Sequence, residues 1–171
     1  MNFKKVSPIE LELNPFDRIG NDWMLITAGD ESRYNTMTAS WGQMGIMWGK
    51  PVVNVFIRPQ RHTRGFVDDG ERFTINLFVP KSMRSELTLL GTKSGRDGDK
   101  IAEAGMSIQC FDGVAAVAQS QVVMVCRKLY QHDIGEEGFV VAEVGAKHYP
   151  QKDFHRMYIG EIEAVYVADD E

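Results

Sequence analysis

The residues best suited to chemistry lie in one short run, Arg58-Pro59-Gln60-Arg61-His62-Thr63. Two guanidiniums, an imidazole and a hydroxyl gather directly after an apolar segment, where Thr63 is placed to open a helix. Free N–H groups at a helix N-terminus attract anions, and arginine adds paired donors that match phosphate oxygens. A solvated basic turn is the alternative. The chain carries 24 acidic against 19 basic side chains, a net charge of −5. Basic groups concentrated in an acidic chain favour one phosphate on a small ligand. The same balance argues against a nucleic-acid backbone as partner.

A second run, Asn35-Thr36-Met37-Thr38-Ala39-Ser40-Trp41-Gly42, alternates hydroxyls with apolar residues. It fits a half-exposed strand whose threonines serve β propensity. It equally fits a row of hydroxyls and N–H groups aimed at a phosphorylated or heteroaromatic ligand, with Trp41 beside it. The methionines of Met44-Gly45-Ile46-Met47-Trp48-Gly49 could pad a core or line the apolar side of a flat ligand. The loop from Gly91 to Lys100 is glycine-rich and mixed in charge, a surface loop or a flap over a ligand. It matches neither the P-loop, whose glycine adjoins the lysine, nor GxGxxG.

Other chemistries lack their residues. His62, His132, His148 and His155 are scattered, with no HExxH and no His-x-Cys pairing, so zinc has no ligand set. Cys110 and Cys126 show no CxxC spacing, and Cys126 sits in an apolar strand as an inert thiol. No GxSxG elbow occurs, and Asp68-Asp69 and Glu136-Glu137 stand in polar, turn-like surroundings.

The elements that must position these groups are mainly strands. Extended segments are expected at 22–28, 34–41, 52–57, 73–78, 107–110, 119–131, 138–144 and 157–167, from period-2 alternation or short apolar runs between Gly, Pro and Asn signals. Thr63 is expected to cap a short helix through Phe66 and Val67 to Asp68, ended by Gly70. Ser82 should cap a second over 83–90, stopped by Gly91, and a third short turn runs over 100–104 before Gly105. Helices inserted among strands, without regular β-α alternation, indicate an antiparallel barrel with peripheral helices. At 171 residues, with 43% hydrophobic and 25% charged side chains, one globular domain over 1–171 is expected. No apolar run is long enough to span a membrane, and no signal-peptide h-region follows the start, so a cytoplasmic protein is expected.

Taken together the motifs resemble the flavin reductase-like family. They are Asn-Thr-Met-Thr-Ala-Ser-Trp at 35–41, Pro51 opening an apolar strand, Arg58-Pro-x-Arg-His-Thr63, and Phe73-Thr-Ile-Asn-Leu-Phe78. Gly91-Thr-x-Ser-Gly-Arg-Asp-x-Asp-Lys100 and Tyr158-Ile-Gly-Glu-Ile162 complete the set. The order holds from about residue 20 to residue 165. The resemblance implies a mainly β fold, a six-stranded antiparallel split barrel, homodimeric, with FMN near the subunit interface. It implies contacts from Met37, Thr38, Ala39, Ser40 and Trp41 to the flavin, and Arg58, Arg61, His62 and Thr63 around its phosphate. Asn76 and Leu77 would border the ring or ribityl chain. Ser94, Gly95, Arg96, Asp97 and Lys100 would close over the cofactor. A flavin carries its own redox chemistry, so the lack of an acid, base or nucleophile is consistent with this family. NADH or NADPH is the implied electron donor and free flavin an implied acceptor. A flavoredoxin-like carrier that meets a redox partner protein is the alternative.

Overall fold

In the computed structural model, which describes residues 2–169, the chain is an antiparallel β structure with four short α-helices among the described residues. The strands are β1 (Phe3–Val6), β2 (Met24–Gly29), β3 (Tyr34–Ala39), β4 (Gly42–Met47), β5 (Lys50–Ile57), β6 (Arg72–Leu77), β7 (Ile108–Phe111), β8 (Val114–Val117), β9 (Val122–Asp133) and β10 (Arg156–Ala168). The helices are α1 (His62–Asp69), α2 (Arg84–Thr92), α3 (Lys100–Glu103) and α4 (Ala142–His148). The main sheet runs β3-β2-β6-β9-β10-β5-β4, with β1 also paired to β10, and β7–β8 form a separate hairpin.

Alternation of side chains sorts each strand into two faces. On β2, Met24, Ile26 and Ala28 enter the main core with Val53, Val55, Phe73, Ile75, Met124 and Tyr158. Leu25 points the other way, under α2 and α3, against Leu87, Leu90, Ile101 and Val117. The core thus holds β2 between barrel and helices, which fixes the neighbouring β3 and the site built on it.

The main sheet has eight strands rather than six. Both β1, with Lys4-Lys5 at its centre, and β4 lie where one side is open, so neither carries the apolar alternation that marks an interior strand. β4 pairs with β5 from Gly42↔Val55 to Met47↔Lys50, through the methionine-rich run that is not among the expected strands.

The segment 138–144 is not a strand. A 3-10 turn at Glu136–Gly138 leads into α4 instead. Val140, Val141 and Val144 project into solvent, so β propensity finds no partner strand to reward it. The Phe139 ring folds back onto Gly145, where an added Cβ would stand 3.1 Å from the ring, and joins Tyr149 and Phe154 in an aromatic trio.

Helix starts also differ. Arg61 holds the N-cap position of α1, with extended backbone, and Thr63 lies inside the first turn. For α2 the N-cap is Met83; the Ser82 hydroxyl donates to the Val79 carbonyl, and Gly91 sits inside the helix.

Candidate functional site

The site starts where β5 ends. Pro59 occupies the second position of a turn closed by the Arg61 N–H donating to the Arg58 carbonyl at 3.1 Å, a position that suits its fixed φ. Arg61 then opens α1, and its side chain crosses to the end of α2. There Nη1 donates to the Gly91 carbonyl at 2.5 Å, while Nη2 is buried with no partner among the described residues. Lys100, 3% exposed, reaches the same helix end, donating to the carbonyls of Leu90 at 2.8 Å and Lys93 at 3.0 Å. A helix C-terminus has unpaired carbonyls and the negative end of the dipole, so both cations are held in place there.

α2 is itself seated on β3. The Thr38 hydroxyl donates to the Leu87 carbonyl at 2.5 Å, and a Cβ on Gly91 would approach Thr38 Cβ to 3.2 Å. A side chain there would press Thr38 back by a few tenths of an ångström.

Beside this grip is a cleft of about 260 Å³, lined by Met37, Thr38, Ala39, Ser40, Trp41, Phe56, Arg58, Arg61 and His155. Ser40, Trp41 and Phe56 are shared with a larger, more apolar cavity of about 530 Å³, whose far wall includes Phe16, Ile19 and Met44. Phe16 and Ile19 come from a π-helical turn, Phe16–Asn21, pinned by Arg18 donating to the Phe78 carbonyl at 2.7 Å, and Met44 comes from β4.

The charges around the grip are one-sided. Burial lowers the proton affinity of Arg61. Burial, then the neighbouring Arg61 charge, brings Lys100 down to about 8. His62 is lowered by burial and by Arg96, Arg33 and Lys100. Among the described residues no carboxylate forms an ion pair with Arg61 or Lys100. Buried charge without a counter-charge is costly, and an anion in the cleft would offset that cost.

A family model described as flavin reductase-like domain matches residues 16–171. The chain belongs to the flavin reductase-like family. A search of curated proteins finds no match. Solved structures similar to it include an FMN-binding domain of a flavin reductases-like enzyme from Shewanella baltica, at 16% identity, TM-score 0.69, covering 97% of this chain and 77% of that one. A Shewanella frigidimarina protein with a split barrel domain gives 19%, 0.67, 87% and 68%. Flavoredoxin of Desulfovibrio vulgaris gives 20%, 0.65, 86% and 69%. At such identities the likeness concerns the fold, a split barrel of the flavin reductase type.

Within this flavin reductase-like chain the residues singled out from sequence are divided among several places. Met37, Thr38, Ala39, Ser40, Trp41, Arg58 and Arg61 meet in the cleft. Arg58 is also engaged elsewhere, pairing with Asp153 and donating to the His148 carbonyl at 2.9 Å. Gly95 and Lys100 line a separate cavity of about 350 Å³ with Arg33 and Asn35. Arg96 stays over the basic turn by donating to the Gln60 carbonyl at 3.2 Å, and Ser94 and Asp97 close a turn of their own. His62 is half-buried, its ring edge-on to Phe66. The Thr63 hydroxyl accepts from Asn35 Nδ2 at 2.7 Å.

Asn76 and Leu77 face the interior. Asn76 Oδ1 accepts from the Val117 N–H at 2.8 Å and from the Ser120 hydroxyl at 3.3 Å, while Nδ2 donates to the Thr27 and Thr74 hydroxyls. It ties the β7–β8 hairpin to the sheet. Phe56 and His155 are the cleft residues that sequence reasoning missed. Alternation against Val55 and Ile57 puts Phe56 on the outer face of β5 and could have found it; one dispersed histidine carried no such signal. Among the described residues no group of three or more His, Cys, Asp or Glu could hold a metal ion, and no helix is long and apolar enough to cross a membrane.

Proposed function

We propose that this chain binds FMN and acts as an oxidoreductase, of the NAD(P)H-dependent flavin reductase type, passing electrons to free flavin or another acceptor. The observation that carries the reading is Arg61. It lines a cleft walled by an indole, its Nη2 is buried with no partner among the described residues, and a second buried cation, Lys100, reaches the same helix end. That arrangement suits a ligand with a phosphate at one end and a flat ring at the other, and the family relatives include an FMN-binding domain.

On this reading Arg61 holds the phosphate and Lys100 adds charge behind it. The β3 end from Met37 to Trp41 lines the path from phosphate to ring, and Trp41 and Phe56 bound the ring. The cavity beyond them offers the ring an apolar surface. FMN held there would supply the redox chemistry. The chain's residues bind, orient and shield it.

The proposal includes a homodimer. Ile46 (69% exposed), Met47, Trp48 (56% exposed) and Tyr130 form an apolar edge on the β4–β5 hairpin and β9, with the Trp48 and Tyr130 rings 6.4 Å apart. An unpaired apolar edge strand favours association, and light scattering should give twice the chain mass; a stable FMN-loaded monomer would remove this part. A cytoplasmic location is also proposed, supported by two free cysteines.

The test is an anaerobic titration of the FMN-loaded protein with NADH and with NADPH, followed by flavin absorbance. Rapid bleaching by either nucleotide supports the reductase. Bleaching only by a reduced protein donor would instead make the chain a flavoredoxin-like carrier.

A further inference from the structure

His155 forms a side of the cleft that the anion grip does not explain. The residue is 8% exposed, and its ring lies 5.0 Å from the Trp41 ring at an interplanar angle of 43°. Nδ1 is 2.8 Å from the Tyr149 hydroxyl. Tyr149 has little freedom of its own. Its ring sits 4.9 Å from Phe154 and 5.9 Å from Phe139, and the Arg58 guanidinium lies 5.0 Å over it. Arg58 in turn donates to the His148 carbonyl and pairs with Asp153. The segment from His148 to Asp153 is strapped to the end of β5, and the Tyr149 hydroxyl is delivered to His155 in one place.

The chemistry of that contact decides where the proton sits. A phenol is a better donor than an imidazole N–H, and an imidazole nitrogen is a better acceptor than a phenol oxygen. The Tyr149 O–H therefore donates to Nδ1, and a neutral ring must then carry its hydrogen on Nε2. The charged groups facing the ring are Arg58 and Asp153, while Tyr149 and Trp41 are neutral. Burial first, then Arg58, oppose a second proton and outweigh Asp153, so His155 is brought down to about 4.

We infer that Tyr149 is a positioning residue for the cleft, fixing the His155 tautomer that presents Nε2–H to the ligand beside Trp41. The inference rests on the cleft being a flavin site and gives its two ends different chemistry. The Arg61 end takes an anion. The His155 end offers one neutral donor, which suits an uncharged carbonyl or ring-nitrogen acceptor on a heteroaromatic ring. A neutral donor there avoids adding a buried charge to an already cationic site.

The experiment has two arms on the full chain. Nitrogen-15 NMR of the imidazole at pH 7, before any flavin is added, should show His155 as the Nε2–H tautomer, and Tyr149→Phe should turn it into a mixture. Fluorescence titrations should then show Tyr149→Phe weakening FMN and riboflavin alike, by roughly 2- to 10-fold, the size of one lost hydrogen bond. An Nδ1–H tautomer in the wild type, an unchanged tautomer in Tyr149→Phe, or a loss confined to FMN would overturn the inference. Should Tyr149→Phe fail to fold, the wild-type tautomer decides alone. A wild type that takes up neither flavin would overturn the flavin reading, and the NMR arm would still decide the tautomer.

Discussion

Arg61 and Lys100 bring their charges to adjacent carbonyls at the end of one helix. Arg61 Nη1 meets Gly91 O at 2.5 Å, and Lys100 Nζ meets Leu90 O at 2.8 Å. Two like charges are stable there because the helix terminus supplies acceptors for both, yet the acceptors leave Arg61 Nη2 unpaired. The carbonyls hold the cations in position, and Arg61 itself lines the cleft. A ligand phosphate would complete the set.

Lys100 makes this grip sensitive to pH. Burial and Arg61 bring it to about 8, so raising the pH from 7 to 9 removes one positive charge beside the phosphate position. FMN affinity should fall several-fold over that range while riboflavin affinity stays flat. The unliganded fold responds with the opposite sign. The unfolded lysine keeps its proton up to about 10.5 and the folded one releases it near 8, so stability should rise between those values. Urea denaturation at pH 7.5 and 9.5 measures the second effect, and flavin fluorescence titration the first.

His155 gives the acid limb. The folded ring resists protonation down to about 4, whereas the unfolded ring takes a proton near its ordinary 6.5. The unfolded state binds more protons across that window, so stability should fall as pH drops from 6.5 towards 4. Denaturation curves for wild type and His155→Gln should converge at low pH, with the variant less pH-dependent.

Gly95 is a packing test of the loop over the basic turn. A Cβ there would stand 2.0 Å from Asn35 Oδ1 and 3.3 Å from the His62 ring. Asn35 is buried and donates to Thr63, so it cannot yield freely. Gly95→Ala should cost about 1–3 kcal/mol in denaturant unfolding and weaken FMN binding by displacing His62. A variant of wild-type stability would mean the loop moves instead.

Much of this site was legible in the sequence because the anion chemistry is local. Arg58 to Thr63 are contiguous, and Pro59 announces the turn that gathers them. The hydroxyl row on β3 was visible, but what each hydroxyl does depends on the far side of the strand. Thr36 faces the core and shares a 2.8 Å hydrogen bond with Thr27, and Thr38 is spent on α2. Lys100 opens α3, and nothing local in the sequence shows that its side chain turns back to Leu90. Asn76 lies in a recognisable strand motif, and only the tertiary position of Val117 and Ser120 reveals its interior role. The strand expected over 138–144 rests on the β propensity of Val140 and Val141, and the structure instead folds Phe139 back onto Gly145 of α4. β4 is not among the expected strands because an open edge strand need not carry buried apolar alternation along its length.

The most direct test of the central claim compares FMN and riboflavin binding in the wild type and in Arg61→Ala, by fluorescence titration at pH 7. The two ligands differ only by the phosphate, and Arg61 is the residue assigned to it. The expected result is a wild-type preference for FMN and a loss in Arg61→Ala of about 10- to 100-fold for FMN, the range of a charge-assisted contact. Riboflavin binding should change little. An equal loss for both ligands, or a wild type that does not distinguish them, would contradict the assignment of the cleft as a flavin phosphate site.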